Sequence, residues 1–129
     1  MEINWLAVFA AAASSFVLGG VWYSALFARQ WQTAAGLSDE QIKSGNMALI
    51  FGGSFVLALV ASASFAVFLG SEIDPMTGAL YGLTAGLCWV TASFGINYLF
   101  ERKNLALFLI NGGYHTLQFT LIGLILGAM

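Results

Sequence analysis

Four long apolar runs without a charged residue alternate with short polar connections along the chain. They cover about residues 5–26, 47–69, 76–100 and 105–127. Each is close to the roughly 20 residues that an α-helix needs to cross a hydrocarbon core of about 30 Å. Because backbone groups in lipid must bond within their own segment and four strands cannot close a barrel, helices are predicted. The pattern predicts an all-α membrane protein, an antiparallel bundle of four transmembrane helices forming a single domain, residues 1–129.

Composition supports this class, because 60% of the 129 residues are hydrophobic and only 8% are charged. Soluble domains carry roughly 25% charged residues, so most of this surface should face the lipid bilayer. The net charge of −2 provides no basic footprint for nucleic acid. Little chain lies outside the runs, and no nucleophile–base pair is visible, so we expect no enzyme.

The four basic residues occupy only the first and third connections, as Arg29, Lys43, Arg102 and Lys103. Positively charged loops stay in the cytoplasm. We therefore expect loops one and three to be cytoplasmic and both termini to lie outside. The second and third connections are short, so the second, third and fourth helices are expected to be antiparallel neighbours.

The first connection is long enough to hold structure of its own. Residues 28–45 are predicted to form a short interfacial amphipathic segment, which Gly36 would interrupt. Ser38 and Gln41 have the spacing of a capping box for a following helical turn. An ordinary structured loop is the alternative.

Aromatic residues gather where the first run ends, as Trp22, Tyr23, Phe27 and Trp31. An interfacial aromatic belt explains them, and a stacking site for an aromatic ligand is the alternative. The segment "GVWYSALFAR" (20–29) also resembles "GINYLFER" (95–102). A parallel internal repeat would explain this similarity between the two segments. Two unrelated helices that both end in aromatic and arginine anchors would explain it equally.

Small residues recur at intervals of about four in every run. Close approach over small side chains drives helix packing in lipid, so these stripes predict a compact bundle. They also suggest a homo-oligomer, although Gly and Ala are common in membrane helices generally. The stripes are Ala7, Ala11, Ser15 and Gly19; Ser54, Ala58, Ser62 and Ala66; Gly78, Gly82 and Gly86; and Gly112, Thr116, Thr120, Gly123 and Gly127.

A polar face runs along the last helix. At 100° per residue, Asn111, His115 and Gln118 fall within about 60°, with Tyr114 beside them. The apolar residues of this helix, Ile110, Leu117, Leu121, Leu124 and Ile125, are assigned to lipid. On the third helix, a stripe at helical spacing consists of Thr84, Cys88, Thr91, Gly95 and Tyr98, and Asn97 lies at a depth similar to that of Asn111. From these residues the polar seam is defined as Asn111, His115, Gln118, Tyr114, Thr84, Cys88, Thr91 and Asn97.

The role of the polar seam depends mainly on His115. An ionisable group in a membrane suggests a functional site, and histidine can carry protons, bind metal or ligate haem. No Asp or Glu lies inside any run, and His115 with Cys88 gives too few metal ligands, so no metal or cofactor is expected. A neutral imidazole that links helices by a hydrogen bond is the structural alternative.

The leading hypothesis is therefore a small non-enzymatic transporter or channel-like bundle. An accessory or scaffolding subunit of a larger membrane complex, and a lipid, pigment or haem binder, are the alternatives.

Two segments resemble the bacterial membrane family known as domain of unknown function 1761 (DUF1761). They are "GGVWYSALFARQWQTAAGLS" (19–38) and "NYLFERKNLALFLINGGYH" (97–115), and with the four-run layout the likeness covers nearly the whole chain. The resemblance implies a small four-helix protein of the bacterial inner membrane, with no implied activity. It marks Gly20, Trp22, Tyr23, Trp31, Gly36, Asn97, Asn111, Tyr114 and His115 without giving them roles.

Overall fold

A computed structural model describes residues 2–129, so only the first residue of the predicted domain lies outside it. Four helices are long and apolar enough to cross a membrane, and no strand occurs in the described range. This confirms the predicted fold class of a multi-pass membrane protein. The helices are α1 (Trp5–Leu26), α2 (Ala28–Ala35), α3 (Asp39–Lys43), α4 (Met47–Leu69), α5 (Pro75–Glu101) and α6 (Leu105–Ala128).

Each spanning helix begins with a side chain that accepts a hydrogen bond from a backbone N–H of the first turn. These caps are Asn4, Asn46, Asp74 and Asn104. They satisfy donors that have no partner within the helix. In the first connection, the predicted capping box of Ser38 and Gln41 is confirmed. Gly36 ends α2 with a φ of 73°, a left-handed conformation that favours glycine.

Two spanning helices contain a π-helical segment, Val21–Leu26 in α1 and Ala85–Thr91 in α5. In α1 the N–H of Phe27 donates to the carbonyl of Trp22, five residues earlier, at 2.9 Å. A π turn holds more residues than an α turn. Residues beyond such a segment therefore point away from the direction that a steady 100° per residue predicts.

Helix α6 occupies the centre of the bundle, with α5 along one side and α1 along another, while α4 packs mainly on α1. The prediction that α5 and α6 are neighbours is confirmed. The prediction that α4 and α5 are neighbours is wrong, because they do not pack along their length. The small face of α4, with Ala58 and Ser62, is buried in its packing on α1, and the glycine face of α5 lies against α6.

The closest packing joins α5 to α6. A Cβ added to Gly78 or Gly82 would overlap the backbone carbonyls of Gly123 or Phe119, and one on Gly86 would lie 2.6 Å from the carbonyl oxygen of His115. Only glycine permits helix backbones to approach this closely. The predicted small-residue stripes of these two helices therefore face each other.

A small core lies beside this α5–α6 contact, where each spanning helix contributes one buried residue. These are Ala11, Phe65, Ala85 and Ile122.

On α6, Leu117 and Leu124 are exposed as predicted, at 42% and 39%. The lipid assignment is wrong for Ile110, which is buried, and for Ile125, which packs against this core. A central helix has neighbours on several sides and so keeps a narrower lipid face.

The two ends of the bundle differ in charge. One end carries all four basic residues with Asp39, Glu40 and Glu101, and we call it the basic end. The opposite end carries Glu2, Glu72 and Asp74, and we call it the acidic end. Since α1 and α5 run toward the basic end and α6 starts there, both termini lie at the acidic end.

Candidate functional site

Asn111 on α6 joins two tyrosines from different helices. The hydroxyl of Tyr23 on α1 donates to Asn111 Oδ1 at 2.6 Å, and Asn111 Nδ2 donates to the hydroxyl of Tyr98 on α5 at 2.8 Å. One amide thus uses its acceptor and its donor to connect three helices. The two tyrosines are the ones shared by the echoed segments, and both converge on the same side chain.

His115 lies one turn farther along α6, between aromatic rings. Its imidazole stacks on Phe94 of α5, with centroids 4.9 Å apart and planes 12° apart, and meets Tyr114 edge-on at 4.9 Å. Nδ1 is 2.7 Å from Oε1 of Gln118. Because an amide oxygen only accepts, Nδ1 carries the proton in this arrangement and Nε2 keeps a free lone pair.

These contacts close into a circuit. Tyr23 packs on Tyr114 at 5.3 Å, and Phe94 packs on Tyr98 at 5.7 Å, between ring centroids. All members are half-buried, so the circuit lies at the side of α6 and not inside a sealed core. We call it the six-residue ring: Tyr23, Asn111, Tyr98, Phe94, His115 and Tyr114. Along α6, Asn111 and His115 lie about 9–15 Å from the basic end.

The aromatic cluster predicted from the sequence surrounds this ring. Trp22 Nε1 donates to the carbonyl of Ile110 at 2.9 Å, and Phe27 packs on Trp22 at 4.8 Å. Trp31 of α2 meets Tyr23 edge-on at 5.8 Å. The cluster therefore makes contacts between helices, in addition to any role at the membrane boundary.

Two further hydrogen bonds fix α6 in place. The hydroxyl of Tyr114 donates to the carbonyl of Ser15 on α1 at 3.0 Å. The buried hydroxyl of Thr91 on α5 donates to the carbonyl of Gly112 at 2.9 Å and lies 3.1 Å from the hydroxyl of Thr116. Thr91 thus belongs to the predicted seam but serves the α5–α6 contact.

The structure keeps Asn111, Tyr114, His115 and Gln118 together on α6, places Thr91 against Gly112 and Thr116, and leaves the other three predicted seam residues outside. Those three, Thr84, Cys88 and Asn97, are exposed on α5. Thr84 lies just before the π-helical segment and Thr91 is its last residue. The constant spacing of a regular α-helix, which placed the two on one face, therefore does not hold between them. Asn97 follows Thr91 by six residues, about 240° around the helix, and Tyr98 makes the bond to Asn111 instead.

Sequence reasoning missed Phe94, which supports His115. Its only signal is a spacing of four from Tyr98, which places both on one helix face. A phenylalanine in an apolar helix otherwise looks the same whether it contacts lipid, core or a site. Within residues 2–129 no three His, Cys, Asp or Glu side chains come close enough to hold a metal ion.

Helices α4 and α5 leave an opening between them, because they do not pack along their length. Helix α4 makes its aromatic contacts with α6 and α5 toward the acidic end, through Phe65 on Phe119 at 5.8 Å and Phe68 on Trp89 at 6.3 Å. Nearer the basic end, a Cβ on Gly52 would meet nothing within 4 Å. Since Phe119 lies one turn from His115, the imidazole is on the side of α6 that faces this gap.

Comparison with known proteins gives a family for the whole bundle. The chain matches, over residues 6–127, the family model described as "Protein of unknown function (DUF1761)". The chain belongs to the DUF1761 family. The matched region of this DUF1761 member contains all four spanning helices almost completely and the entire six-residue ring. No curated protein and no solved structure matches the chain.

Proposed function

We propose that this DUF1761 member binds the polar head of a membrane-soluble amphiphile at the six-residue ring. The observation that carries the proposal is the free nitrogen of His115. Gln118 holds the imidazole in one tautomer, Phe94 holds its plane, and Nε2 is left as an acceptor with no hydrogen-bond partner among the described residues. A polar atom in this position is stabilised by a ligand that donates a hydrogen bond.

The ligand class follows from the walls of the site. Asn111 has both of its functions engaged by tyrosines, so His115 Nε2 remains as an acceptor and the Tyr98 hydroxyl as a donor. An acceptor nitrogen between two aromatic rings suits an O–H or N–H donor attached to a flat or hydrocarbon body. Alcohols, phenols and amines that dissolve in a bilayer meet this description.

The packing supports binding over conduction through a single chain. Between α5 and α6 the backbones touch along Gly78, Gly82 and Gly86, which leaves no room for a water path there. Of the seam groups that pack inside the bundle, Thr91 donates to the carbonyl of Gly112 and Tyr114 to the carbonyl of Ser15. Transport therefore ranks second, and solute flux in proteoliposomes that depends on His115 would favour it.

For location, we propose the bacterial cytoplasmic membrane with the basic end in the cytoplasm. The charged residues counted above sum to +1 at the basic end and −3 at the acidic end. Basic loops are retained on the cytoplasmic side. In a Cys88→Ser background, a membrane-impermeant maleimide should label Ser71→Cys from outside and leave Ser44→Cys unlabelled. The reverse pattern would overturn the orientation.

Native mass spectrometry of protein released gently from membranes tests the binding role. Wild-type protein should carry a small-molecule adduct, and His115→Ala should lose it by tenfold or more in occupancy. Thr84→Ala is the matched control, because it removes a polar group that bonds only to Leu80 in its own helix and lies outside the ring. Gln118→Leu keeps the imidazole but removes its orienting partner, and it should lower occupancy with helicity unchanged.

Two results would contradict the binding proposal. One is an adduct that persists equally in His115→Ala and wild type. The other is wild-type protein that is released bare, or that is released with another protein subunit in place of a small molecule. The last outcome would favour the accessory-subunit hypothesis.

A further inference from the structure

A shallow, widely open surface cavity lies away from the six-residue ring, between α2 and the start of α6. It has a volume of about 510 Å³ and opens to the surface at the basic end. This is the level at which the spanning helices end and lipid headgroups begin. The lining residues are Arg29, Gln30, Thr33, Ala34, Asn104 and Ala106.

The lining combines hydrogen-bond donors with two methyl groups and contains no carboxylate. Arg29 offers a guanidinium with five N–H donors, and Gln30, Thr33 and Asn104 add amide and hydroxyl donors. The carboxylate of Asp39 lies in the same connection but is engaged by the Gln32 amide at 2.7 Å. A donor set of this kind favours an anion with several oxygens.

The cavity is held open by local structure. Asn104 Nδ2 donates to the carbonyl of Ala34 at 3.0 Å, while Asn104 Oδ1 accepts from the N–H of Leu107 at 2.9 Å. One side chain thus caps α6 and ties the end of α2 to it. The α2 residues of the lining follow one another at helical spacing, so they share a face. A preformed wall reduces the ordering cost of binding.

We propose that this cavity binds the phosphate of an anionic phospholipid headgroup, with Arg29 as its main charged contact. The proposal is independent of the ligand proposed for the six-residue ring. Ala34 and Ala106 would contact the glycerol and upper acyl region, while the donors surround the phosphate. Basic pockets at the headgroup level are a known mode of lipid recognition, and the cavity meets that description in position, charge and lining.

The test uses the full chain in nanodiscs of phosphatidylcholine, with or without phosphatidylglycerol, followed by native mass spectrometry of retained lipid. Wild-type protein should retain phosphatidylglycerol preferentially. Arg29→Gln should lower that retention about tenfold, the effect of losing a charge-assisted hydrogen bond to the phosphate. Lys43→Gln removes a charge from the same connection but outside the cavity, and it should leave retention unchanged.

Three outcomes would contradict the lipid-binding proposal. Equal losses in Arg29→Gln and Lys43→Gln would show attraction to the whole basic end and no defined site. If inorganic phosphate, added to nanodiscs of phosphatidylcholine plus phosphatidylglycerol, displaces the retained lipid, the cavity takes free phosphate and not a lipid headgroup. Unchanged retention in Arg29→Gln would exclude the cavity as the site. Thermal unfolding of both variants checks that the exposed substitutions leave the fold intact.

Discussion

Substituting Gly82 by Ala tests whether close backbone approach holds α5 on α6. The added Cβ would overlap the carbonyl oxygen of Phe119 and would lie 2.7 Å from its carbonyl carbon and 3.0 Å from Cα of Thr120. Ordinary Cβ contacts begin at 3.4 Å, so clearing the carbonyl carbon alone requires a separation of about 0.7 Å, and clearing the overlapped oxygen requires more. Because the obstructing atoms are backbone, no side-chain rotation can relieve the overlap.

The expected magnitude follows from two opposing effects. A gap of about 0.5–1 Å removes a quarter to a half of the dispersion attraction of each contact. Overpacking of this kind typically lowers the free energy of unfolding by about 1–3 kcal/mol. Alanine also gains about 0.5–1 kcal/mol over glycine in a helix interior. Gly52→Ala receives the same gain without a collision, since nothing lies within 4 Å of its Cβ position.

The difference between Gly82→Ala and Gly52→Ala therefore isolates the packing effect. We expect Gly82→Ala to be less stable than Gly52→Ala by about 1–3 kcal/mol. Unfolding by dodecyl sulfate in bicelles, followed by tryptophan fluorescence, measures both variants under one condition. If the two agree within about 0.5 kcal/mol, the reasoning is wrong, and α5 and α6 are not held by glycine contact in the folded protein.

Two further predictions concern side-chain hydrogen bonds; the first uses the same unfolding assay and the second uses thermal unfolding. Asn111→Leu should lower the free energy of unfolding by about 1–2 kcal/mol, near the sum for Tyr23→Phe and Tyr98→Phe. The reason is that each hydrogen bond between membrane helices contributes about 0.6 kcal/mol and rarely more than about 1.7. An effect no larger than that of one tyrosine variant would mean that one of the two bonds is absent. Hydrogen bonds from the Thr77 side chain and backbone lower the pKa of the Asp74 carboxyl below its ordinary value. The ionised carboxylate therefore stabilises the fold above about pH 4, and this stabilisation is lost as the pH falls through the lowered pKa. The thermal midpoint of wild type should therefore drop at acid pH more than that of Asp74→Asn, which still caps the helix but does not titrate; identical pH profiles would rule out this contribution.

Much of the candidate site was foreseeable because it lies on one uninterrupted α-helix. Asn111, His115 and Gln118 share a face of α6 at regular spacing, and the structure keeps them together. The other side of the site was predicted less well. Thr84 and Cys88 were placed by extending a regular helix through Ala85–Thr91, which is π-helical. A π segment is stabilised by its packing surroundings, which a linear sequence does not display.

The sequence alone determined the spanning helices, their approximate ends and the capping box of Ser38 and Gln41. These depend on local physics, since an apolar segment in lipid must satisfy its own backbone and a capping residue acts within one turn. Tertiary structure decided which helices are neighbours and which polar groups meet. Tyr23 and Tyr98 reach Asn111, and Phe94 reaches His115, only because α6 is central and two helices contain π turns. Those features depend on contacts between segments that are distant along the chain, where residue spacing carries no information.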